Sequence, residues 1–511
     1  MRYLRSIRLG IASLSIVLIG LFFLDFGNLL PPVFISTLLT LQVGPAIVKA
    51  VAASANALIG LAIVLSTTVL MGRVYCSHLC PLGTLQDIFI WTAKKNFKHR
   101  KFPYVRPQYM LHYGITLCMV VAALCGSVIV LNLLEPFSSF GRSISTILRP
   151  FVVLLNNIAA TLLAKEQIYI LYGIPLKSFS LLVYSTTLIF IGGLYWLSYF
   201  YGRLFCNMLC PVGGVLGLLS RVSLFRITID DGHCNDCGLC ERVCRARCID
   251  SKNRTIDTAA CVGCFDCISS CPTGGMTYRF EEKRYSLHQP VDRKRRKVIV
   301  GASTGILGMI WSPESAFSEH ITYEKSRGTP VVPPGARSID RFTSFCTACH
   351  LCISSCPTGV LQPSFMEFGI AGLMQPRMDY GVNYCNFECT LCGQICPTGA
   401  IQSLLPDEKK LVQIGKTQFV KEDCIVETKK IDCGACSEHC PTKAVKMVPY
   451  GKLFLPEADN QYCLGCGACE HACPTKPRKA IFVLSNPIHG VAKKRQEQRL
   501  EAPALPAEFP F

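Results

Sequence analysis

Twenty-four cysteines of this 511-residue chain form six groups of four, with a spacing suited to metal binding. Most follow the pattern C-x-x-C-x-x-C-x-x-x-C, usually with proline next. Three closely spaced thiolates can hold three corners of an iron–sulfur cubane, and the fourth, turned away by the proline, usually binds the neighbouring cluster. Zinc ribbons instead use two C-x-x-C pairs at longer separation. The pattern therefore predicts six [4Fe-4S] clusters. The quartets are Cys234, Cys237, Cys240 and Cys244; Cys261, Cys264, Cys267 and Cys271; Cys346, Cys349, Cys352 and Cys356; Cys385, Cys389, Cys392 and Cys396; Cys424, Cys433, Cys436 and Cys440; and Cys463, Cys466, Cys469 and Cys473.

The first two quartets also predict which thiol joins which cluster. Cys244 should join the cluster of the second quartet, and Cys271 the cluster of the first. Arg245 replaces the usual proline, and Cys248 lies outside the quartet as a spare thiol. The run CTACH, residues 346–350, fits a haem c attachment motif, but haem would take two ligands from a complete quartet, so we expect none.

Two further cysteine pairs repeat a different signature. Residues 72–83, GRVYCSHLCPLG, contain Cys76 and Cys80, and residues 202–213, GRLFCNMLCPVG, contain Cys206 and Cys210. The spacing places each pair on one face of a helical turn. Three interpretations fit: ligands of a further metal or cluster, redox-active thiols, or structural caps.

Both pairs follow apolar segments that are long enough to cross a membrane. Residues 9–24, 52–71, 110–134 and 180–201 carry almost no charge, and half of the whole chain is hydrophobic. Each repeat holds two spans joined by a short apolar piece with prolines, residues 30–48 in the first and 136–164 in the second. Because both copies then enter the membrane in the same sense, a pseudo-twofold axis along the membrane normal could bring all four thiols together. The predicted fold is a membrane α-helical bundle of four transmembrane helices, followed by α+β bacterial-type ferredoxin modules.

The basic residues indicate topology rather than nucleic-acid binding. The formal net charge is +18. Six oxidised clusters of about −2 each would reduce it to roughly +6, so no nucleic-acid partner is expected. Lys94 and Lys95 belong to a basic loop between the second and third segments, which predicts a cytoplasmic location for that loop.

The motifs divide the chain into five regions. Residues 1–225 form the membrane domain with both C-x-x-x-C-P motifs, residues 226–290 a two-cluster ferredoxin domain, residues 291–335 a leader or anchor with a linker, residues 336–490 a four-cluster domain, and residues 491–511 a tail. The leader contains Arg295 and Arg296 before the apolar run 298–311, and it is similar to a twin-arginine export signal. A buried linker is the alternative.

The membrane domain with its first two quartets resembles NapH and MauN, the membrane ferredoxin-type subunits of periplasmic nitrate reductase and methylamine dehydrogenase systems. From residue 293 onward the chain resembles their partners NapG and MauM, on the leader, the run PGARSIDRF and four quartets of which one has a long first gap, Cys424 to Cys433. The chain therefore looks like the two fused end to end.

The resemblance implies a quinol dehydrogenase of a respiratory chain in the bacterial inner membrane. Its partners would be the membrane quinone pool and a periplasmic reductase or cytochrome c, with residues 226–290 cytoplasmic and residues 312–511 periplasmic. We expect the four C-x-x-x-C-P cysteines to take part, and Glu135, in the run LLEPF, to accept a proton from quinol. The alternatives are a membrane ferredoxin that reduces metal during oxidase maturation, and a polyferredoxin wire with no quinol site.

Overall fold

The computed structural model describes residues 3–25, 27, 29–51, 54–96, 102, 104, 108–124, 126–176, 179–280 and 329–494. The described residues up to Ser220 form a helical layer. Residues 225–280 and 329–494 form two small cysteine-rich α+β units, called module 1 and module 2. The predicted leader lies mostly outside the described residues. The helices of the layer are α1 (Tyr3–Leu24), α2 (Pro32–Leu39), α3 (Val43–Val51), α4 (Ala55–Met71), α5 (Tyr75–His78), α6 (Pro81–Asn96), α7 (Tyr109–Leu124), α8 (Ile129–Leu134), α9 (Pro136–Ser143), α10 (Arg149–Lys165), α11 (Leu181–Tyr201), α12 (Leu204–Met208) and α13 (Pro211–Ser220).

Three helical stretches of the layer are long and apolar enough to cross a membrane. They are α1, the 30-residue stretch Pro136–Lys165 and α11, and a fourth candidate is the pair α2 and α3, bent by 95°. Their outward side chains are apolar and exposed, as Leu182, Ile189 and Trp196 of α11 illustrate. Exposed apolar surface of this extent is typical of a protein that faces lipid.

The long helices differ in part from the four predicted spans. Segments 9–24 and 180–201 lie in α1 and α11, but segments 52–71 and 110–134 contain the shorter helices α4 and α7, with 17 and 16 residues. Gly126 takes a left-handed φ of 78° and ends the second of these. Residues 136–164, expected to be a short connecting piece, instead form a continuous helix through a π-helical segment, Ile144–Leu148.

Both modules are built from short antiparallel strand pairs and one-turn helices. In module 1, Phe225–Ile229 pairs with Met276–Phe280 and Ile249–Asp250 with Thr255–Ile256, around helices Leu239–Val243 and Asp266–Ser270. In module 2, Leu361–Pro363 pairs with Pro376–Met378, Val412–Phe419 with Ile481–Val491, and Val445–Tyr450 with Leu453–Ala458. The α-helices of module 2 are Ile339–Phe345, Leu351–Ser355, Leu391–Gln394, Pro406–Lys409, Ile425–Thr428, Ala435–Glu438 and Ala468–Ala472.

The two modules lie at opposite ends of α1. Near its N-terminus, Arg5 pairs with Asp266 of module 1 at 3.2 Å. Near its C-terminus, the Phe23 carbonyl accepts a hydrogen bond from Arg149, which also binds the Ser354 carbonyl of module 2. Arg5 and Phe23 are 18 residues apart on this helix, so about 27 Å along the helix axis separates the two contacts.

Helix α11 runs in the opposite direction between the same modules. The backbone N–H of Arg203, just after its C-terminus, donates to the Arg245 carbonyl of module 1 at 2.9 Å. Near its N-terminus, Thr186 lies 4.0 Å from the sulfur of Met374 in module 2. One buried core continues from Cys264 of module 1, through the layer, to Cys349 of module 2.

Candidate iron–sulfur sites and the buried thiol pairs

Module 1 contains two cavities, each lined by thiols from both of its quartets. Cys234, Cys237, Cys240 and Cys271 line a cavity of about 400 Å³. Cys244 joins the first three thiols of the second quartet, Cys261, Cys264 and Cys267, around a cavity of about 320 Å³. The distal cysteine of each quartet has therefore crossed to the other set.

Short helices cause this exchange. Leu239–Val243 carries Cys240, and the chain leaves the helix at Cys244 with extended backbone, at ψ 108°. Asp266–Ser270 carries Cys267 and ends at Cys271 in the same way, at ψ 116°. Each five-residue helix thus places the third thiol of its quartet at one cavity. The fourth thiol, directly after the helix, lies at the other cavity.

Module 2 repeats the arrangement in its third and fourth quartets. Cys356 of the third quartet joins Cys385, Cys389 and Cys392 around a cavity of about 370 Å³. Burial raises the pKa of Cys352, and the neighbouring thiols of Cys349, Cys346 and Cys396 raise it further. Cys396 has therefore joined the third set.

The fifth and sixth quartets exchange their distal cysteines as well. Burial raises the pKa of Cys436 to about 12, with contributions from Cys433 and Cys473. Burial also raises the pKa of Cys469, with contributions from Cys466, Cys463 and Cys440. In each of the three pairs of quartets, the distal cysteine of one quartet therefore lies with the first three thiols of the other, and we call these groups of four the crossed sets.

The thiol sets of module 2 do not follow one another in chain order. The set of Cys346 lies beside the layer, since Arg142 reaches the carbonyl of Ala348. The backbone N–H of Cys385 donates to the Cys466 carbonyl at 3.0 Å, so the set of the fourth quartet adjoins that of the sixth. The set that contains Cys424 shares a buried core with the set of the sixth quartet, which contains Cys463.

The donor atoms of these sets fit a four-iron cluster. Backbone N–H groups donate to the sulfurs, from Ala444 to Cys440 at 3.2 Å and from Gly465 to Cys463 at 3.4 Å. Such hydrogen bonds tune cluster potentials. In the part of the chain that the structure describes, no three cysteine, histidine or acidic side chains converge closely enough to hold one metal ion. Thiols spaced around a cavity suit a cubane better than a single ion.

Cys248, the spare thiol of the sequence, lies at the second cavity of module 1. Its sulfur is 3.5 Å from that of Cys244, and it is buried. The contact with Cys248 is the main cause that lowers the pKa of Cys244 to about 7.

The structure brings the two C-x-x-x-C-P motifs together. Cys76, Cys80, Cys206 and Cys210 are each 4% or 5% exposed and belong to one core. The four thiols lie within electrostatic range of one another. The pseudo-twofold arrangement expected from the repeat is visible in these contacts.

Two arginines of the repeated GR dipeptide cross between the motifs. Arg73 donates to the Cys206 carbonyl at 3.1 Å, and Arg203 donates to the Cys76 carbonyl at 2.7 Å. Gly83 and Gly213 permit this approach, because a Cβ at either position would lie 2.3 Å from the carbonyl oxygen of Cys76 or Cys206. Each motif is therefore held by the arginine of the other.

The motifs also contact module 1 directly. Arg73 donates to the Ala259 carbonyl at 2.7 Å, Ser77 to Gly263 at 3.2 Å, and Asn207 to Ala246 at 3.1 Å. These acceptors adjoin Cys261 and Cys244, both at the second cavity. The buried pairs are thus next to one of the crossed thiol sets.

A buried charge network reinforces the contact with module 1. Asp87 pairs with Arg8, with Arg203 at 2.8 Å and with Arg245 at 3.1 Å. Arg245 also pairs with Asp266 at 2.6 Å. The residue that replaces the motif's proline therefore links module 1 to the layer.

Glu135, the predicted proton acceptor, is fully buried and caps α9. Its carboxylate accepts hydrogen bonds from the backbone N–H groups of Phe137, at 3.0 Å, and Ser138, at 2.5 Å. It also contacts Gly44, and it lies close enough to Cys349 for its negative charge to help raise the pKa of that thiol. The side chain therefore has a capping role, which the sequence reasoning did not assign, beside the third thiol set.

Several polar residues near the thiols were missed by the sequence reasoning. The Cys206 thiol donates to Gln86 Oε1 at 3.3 Å, and His112 Nε2 lies 3.0 Å from the Cys210 carbonyl. The GR dipeptide, which occurs in both motifs, could have indicated that Arg73 and Arg203 have a structural role at the thiol pairs. Gln86 has no counterpart in the second repeat, where Leu216 takes its place, so the repeat gave no signal for it.

Comparison with known families agrees with an iron–sulfur assignment. A family model described as a 4Fe-4S binding domain matches residues 54–100, 185–229 and 392–411, and one described as a 4Fe-4S dicluster domain matches residues 429–476. The first two matches contain the two C-x-x-x-C-P motifs. No solved structure matches the chain.

Curated relatives are electron-transport and ferredoxin-type proteins. The putative electron transport protein YccM of Escherichia coli is 26% identical over 46% of this chain and 57% of its own length. The ferredoxin-type protein MauN of Methylobacillus flagellatus is 26% identical over 47% of this chain and 74% of its own. The ferredoxin-type protein NapH of Haemophilus influenzae is 25% identical over 42% of this chain and 65% of its own length. The chain therefore spans less than two thirds of the length of YccM and of NapH. The chain thus carries 4Fe-4S binding domains and is similar to the NapH and MauN ferredoxin-type proteins.

Proposed function

We propose that this protein oxidises quinol in the bacterial inner membrane and passes the electrons to a periplasmic reductase or cytochrome c. The observation that carries the proposal is the position of cysteine-rich modules at both ends of a lipid-facing helical layer. Six crossed thiol sets would hold six [4Fe-4S] clusters, which supply one-electron acceptors when bound. The fusion of a NapH-like with a NapG-like part belongs to this proposal.

The protein's own residues have two tasks in quinol oxidation. Loss of two electrons from quinol releases two protons, so a base must lie near the site of electron transfer. Glu135 is our proposed first acceptor, because it is buried in the layer within electrostatic range of Cys349. The apolar helices around it would exclude water and hold the quinol ring.

The charge distribution supports the proposed orientation. Arg5, Arg8 and Lys94 lie at the module 1 end of the layer, where Lys94 reaches the carbonyl of Val243 at 3.5 Å. Basic residues accumulate on the cytoplasmic side of membrane proteins. Module 1 is therefore proposed to be cytoplasmic and module 2 periplasmic.

A wire without a quinol site is the second candidate. The end-to-end placement of the modules favours it as much as it favours quinol oxidation, since electrons could enter at module 1 from a soluble donor. The maturation-factor alternative is weaker, because residues 336–480 carry four more quartets where such factors have a β-sandwich domain.

Titration with a menaquinol analogue tests the first candidate. Anaerobic full-length protein should lose cluster absorbance on addition of the quinol and sustain turnover with ferricyanide as acceptor. Glu135→Gln should slow the quinol-dependent rate by roughly 100-fold while leaving reduction by dithionite unchanged.

Asp25→Asn is the matched control, because Asp25 also caps backbone N–H groups, those of Leu29 and Leu30. It should leave the quinol-dependent rate unchanged. Clusters that dithionite reduces but quinol does not, and no quinol turnover, would favour the wire.

A further inference from the structure

The four buried thiols of the C-x-x-x-C-P motifs share one site at the pseudo-twofold axis. Each motif contributes two sulfurs to one core, and Arg73 Nη2 joins the motifs, at 3.9 Å from the Cys76 sulfur and 3.1 Å from the Cys206 carbonyl. Backbone N–H groups point at two of the four sulfurs, from Gly83 to Cys80 at 3.4 Å and from Gly213 to Cys210 at 3.3 Å. The same N–H···S contacts occur in the crossed sets of module 2.

Arg73 carries a buried charge with no carboxylate to balance it. It is 1% exposed, and its Nη2 lies 3.9 Å from the Cys76 sulfur. No acidic side chain of the described residues pairs with it, and its Nε has no hydrogen-bond partner there. Because an uncompensated buried charge is costly, Arg73 indicates an anion beside Cys76.

The neighbouring ion-pair network has a positive excess as well. Three buried or nearly buried arginines, Arg8, Arg203 and Arg245, surround two carboxylates, Asp87 and Asp266. One positive charge therefore remains there, and Arg73 supplies a second. The second thiol set of module 1 adjoins Arg8 and Arg245 as well, so its cluster shares this positive charge, whereas the Arg73 guanidinium lies beside Cys76 of the motif.

Gln86 supplies a further unsatisfied donor at the same place. Its side chain is fully buried, with Oε1 at the Cys206 sulfur and no partner for Nε2 among the described residues. Rotation of the amide by half a turn would place an N–H on the sulfur, as a thiolate ligand requires. A thiolate at Cys206 would thus accept a hydrogen bond from this buried amide.

We propose that Cys76, Cys80, Cys206 and Cys210 together bind one [4Fe-4S] cluster inside the helical layer, each repeat providing two ligands. Structural caps would not need the charge of Arg73. A single ion would need thiols that converge, and no such group occurs among the described residues. This seventh site goes beyond the proposed function, and it does not depend on quinol as the electron donor.

The location of the site follows from its contacts. On one side Arg73 and Ser77 bind carbonyls of module 1 beside the second thiol set. On the other side Tyr75, whose hydroxyl donates to Gln42 at 3.0 Å, leads towards Glu135 and module 2. The four thiols therefore lie between the two modules.

The test compares the iron content of full-length protein with that of the double variant Cys76→Ala/Cys206→Ala, which removes one ligand from each repeat. The variant should contain about four fewer iron atoms per chain. Cys118→Ala, in helix α7 and outside the four-thiol site, is the control and should keep the full content. An unchanged iron content in the double variant would overturn the proposal.

Native mass spectrometry of the wild-type protein guards against a variant that misfolds. It should show a species with one cluster more than the six crossed sets can hold. A maximum of six clusters, together with four additional thiols released by a reductant, would instead establish redox-active pairs. Because both readouts count metal or thiol, failure of this proposal is distinguishable from failure of quinol oxidation.

Discussion

Arg245 shows how one side chain can join a soluble-type module to a membrane layer. In most of the quartets a proline follows the distal cysteine, whereas Arg245 follows Cys244. Its guanidinium bridges Asp87 of the layer and Asp266 of module 1, and its carbonyl accepts from the N–H of Arg203. A proline could keep the carbonyl contact but would lose both ion pairs.

Arg245→Ala should therefore loosen module 1 from the layer. Removal of one partner from a buried ion pair typically costs about 3–5 kcal/mol, and Asp87 and Asp266 are nearly buried. We expect faster proteolysis within module 1 and a lower thermal transition. Arg254→Ala is the control, because Arg254 pairs with Asp231 and Asp236 on the surface of the same module, where solvent screens such pairs and they contribute little to stability. Equal protease resistance in both variants would contradict the role of Arg245.

The residue scale also shows what sequence could and could not predict. The spacing of the cysteines is local and repeated, so the quartets were visible without a structure. The pairing of Arg245 with Asp87 joins residues 158 positions apart, and no local pattern indicates it. Glu135 was chosen for its place beside a membrane segment, but a Glu directly before Pro136 could also have been predicted to be a helix cap, since proline favours the first helical position.

At the scale of elements, one-turn helices decide which thiols meet. Leu351–Ser355 carries Cys352, and the chain leaves it at Cys356 with extended backbone, at ψ 115°. The motif predicted this exchange because proline after the distal cysteine cannot continue the helix. The spatial order of the sets in module 2 was not predictable, because it depends on contacts such as that of Cys385 with Cys466.

Double variants should reveal the exchange of ligands. Cys356→Ala and Cys392→Ala should disable the same cluster, so the double variant should lose no more iron than the more severe single variant, about four atoms at most. Cys356→Ala combined with Cys349→Ala should disable two clusters, and the losses should add. Iron analysis of purified protein gives both numbers. Additive losses for Cys356 with Cys392 would show that the quartets are not crossed.

The helices of the layer were harder to predict than the motifs. Hydropathy found α1 and α11 through segments 9–24 and 180–201, which are continuous and uncharged. It placed residues 136–164 in a short apolar piece with prolines, yet Pro150 lies in the first turn of α10, where proline is tolerated after the π-helical segment. Arg142 and Arg149, which reduce the hydropathy of this stretch, bind carbonyls of module 2.

At the scale of the whole molecule, the two modules and the layer form one continuous structure. Helix α1, which contacts both modules, is roughly 33 Å long, and the points of contact on it lie about 27 Å apart, close to the ~30 Å hydrocarbon core of a bilayer. Modules that bind both ends of the same helices cannot lie on the same side of a membrane crossed by those helices. Phe280 lies at the module 1 end and Val331 in module 2, so the proposed orientation places these two residues on opposite sides of the membrane.

Reporter fusions should therefore find residue 290 and residue 319 on opposite sides of the membrane. We expect alkaline phosphatase, which is active only outside the cytoplasm, to be inactive when fused after Pro290 and active when fused after Glu319. Both positions lie outside the described residues, in the region that contains the predicted leader. A reporter active only in the cytoplasm, fused at the same two positions, should give the reverse pattern. Phosphatase that is inactive at both positions would place module 2 in the cytoplasm, and the electron acceptor would then have to be an internal one.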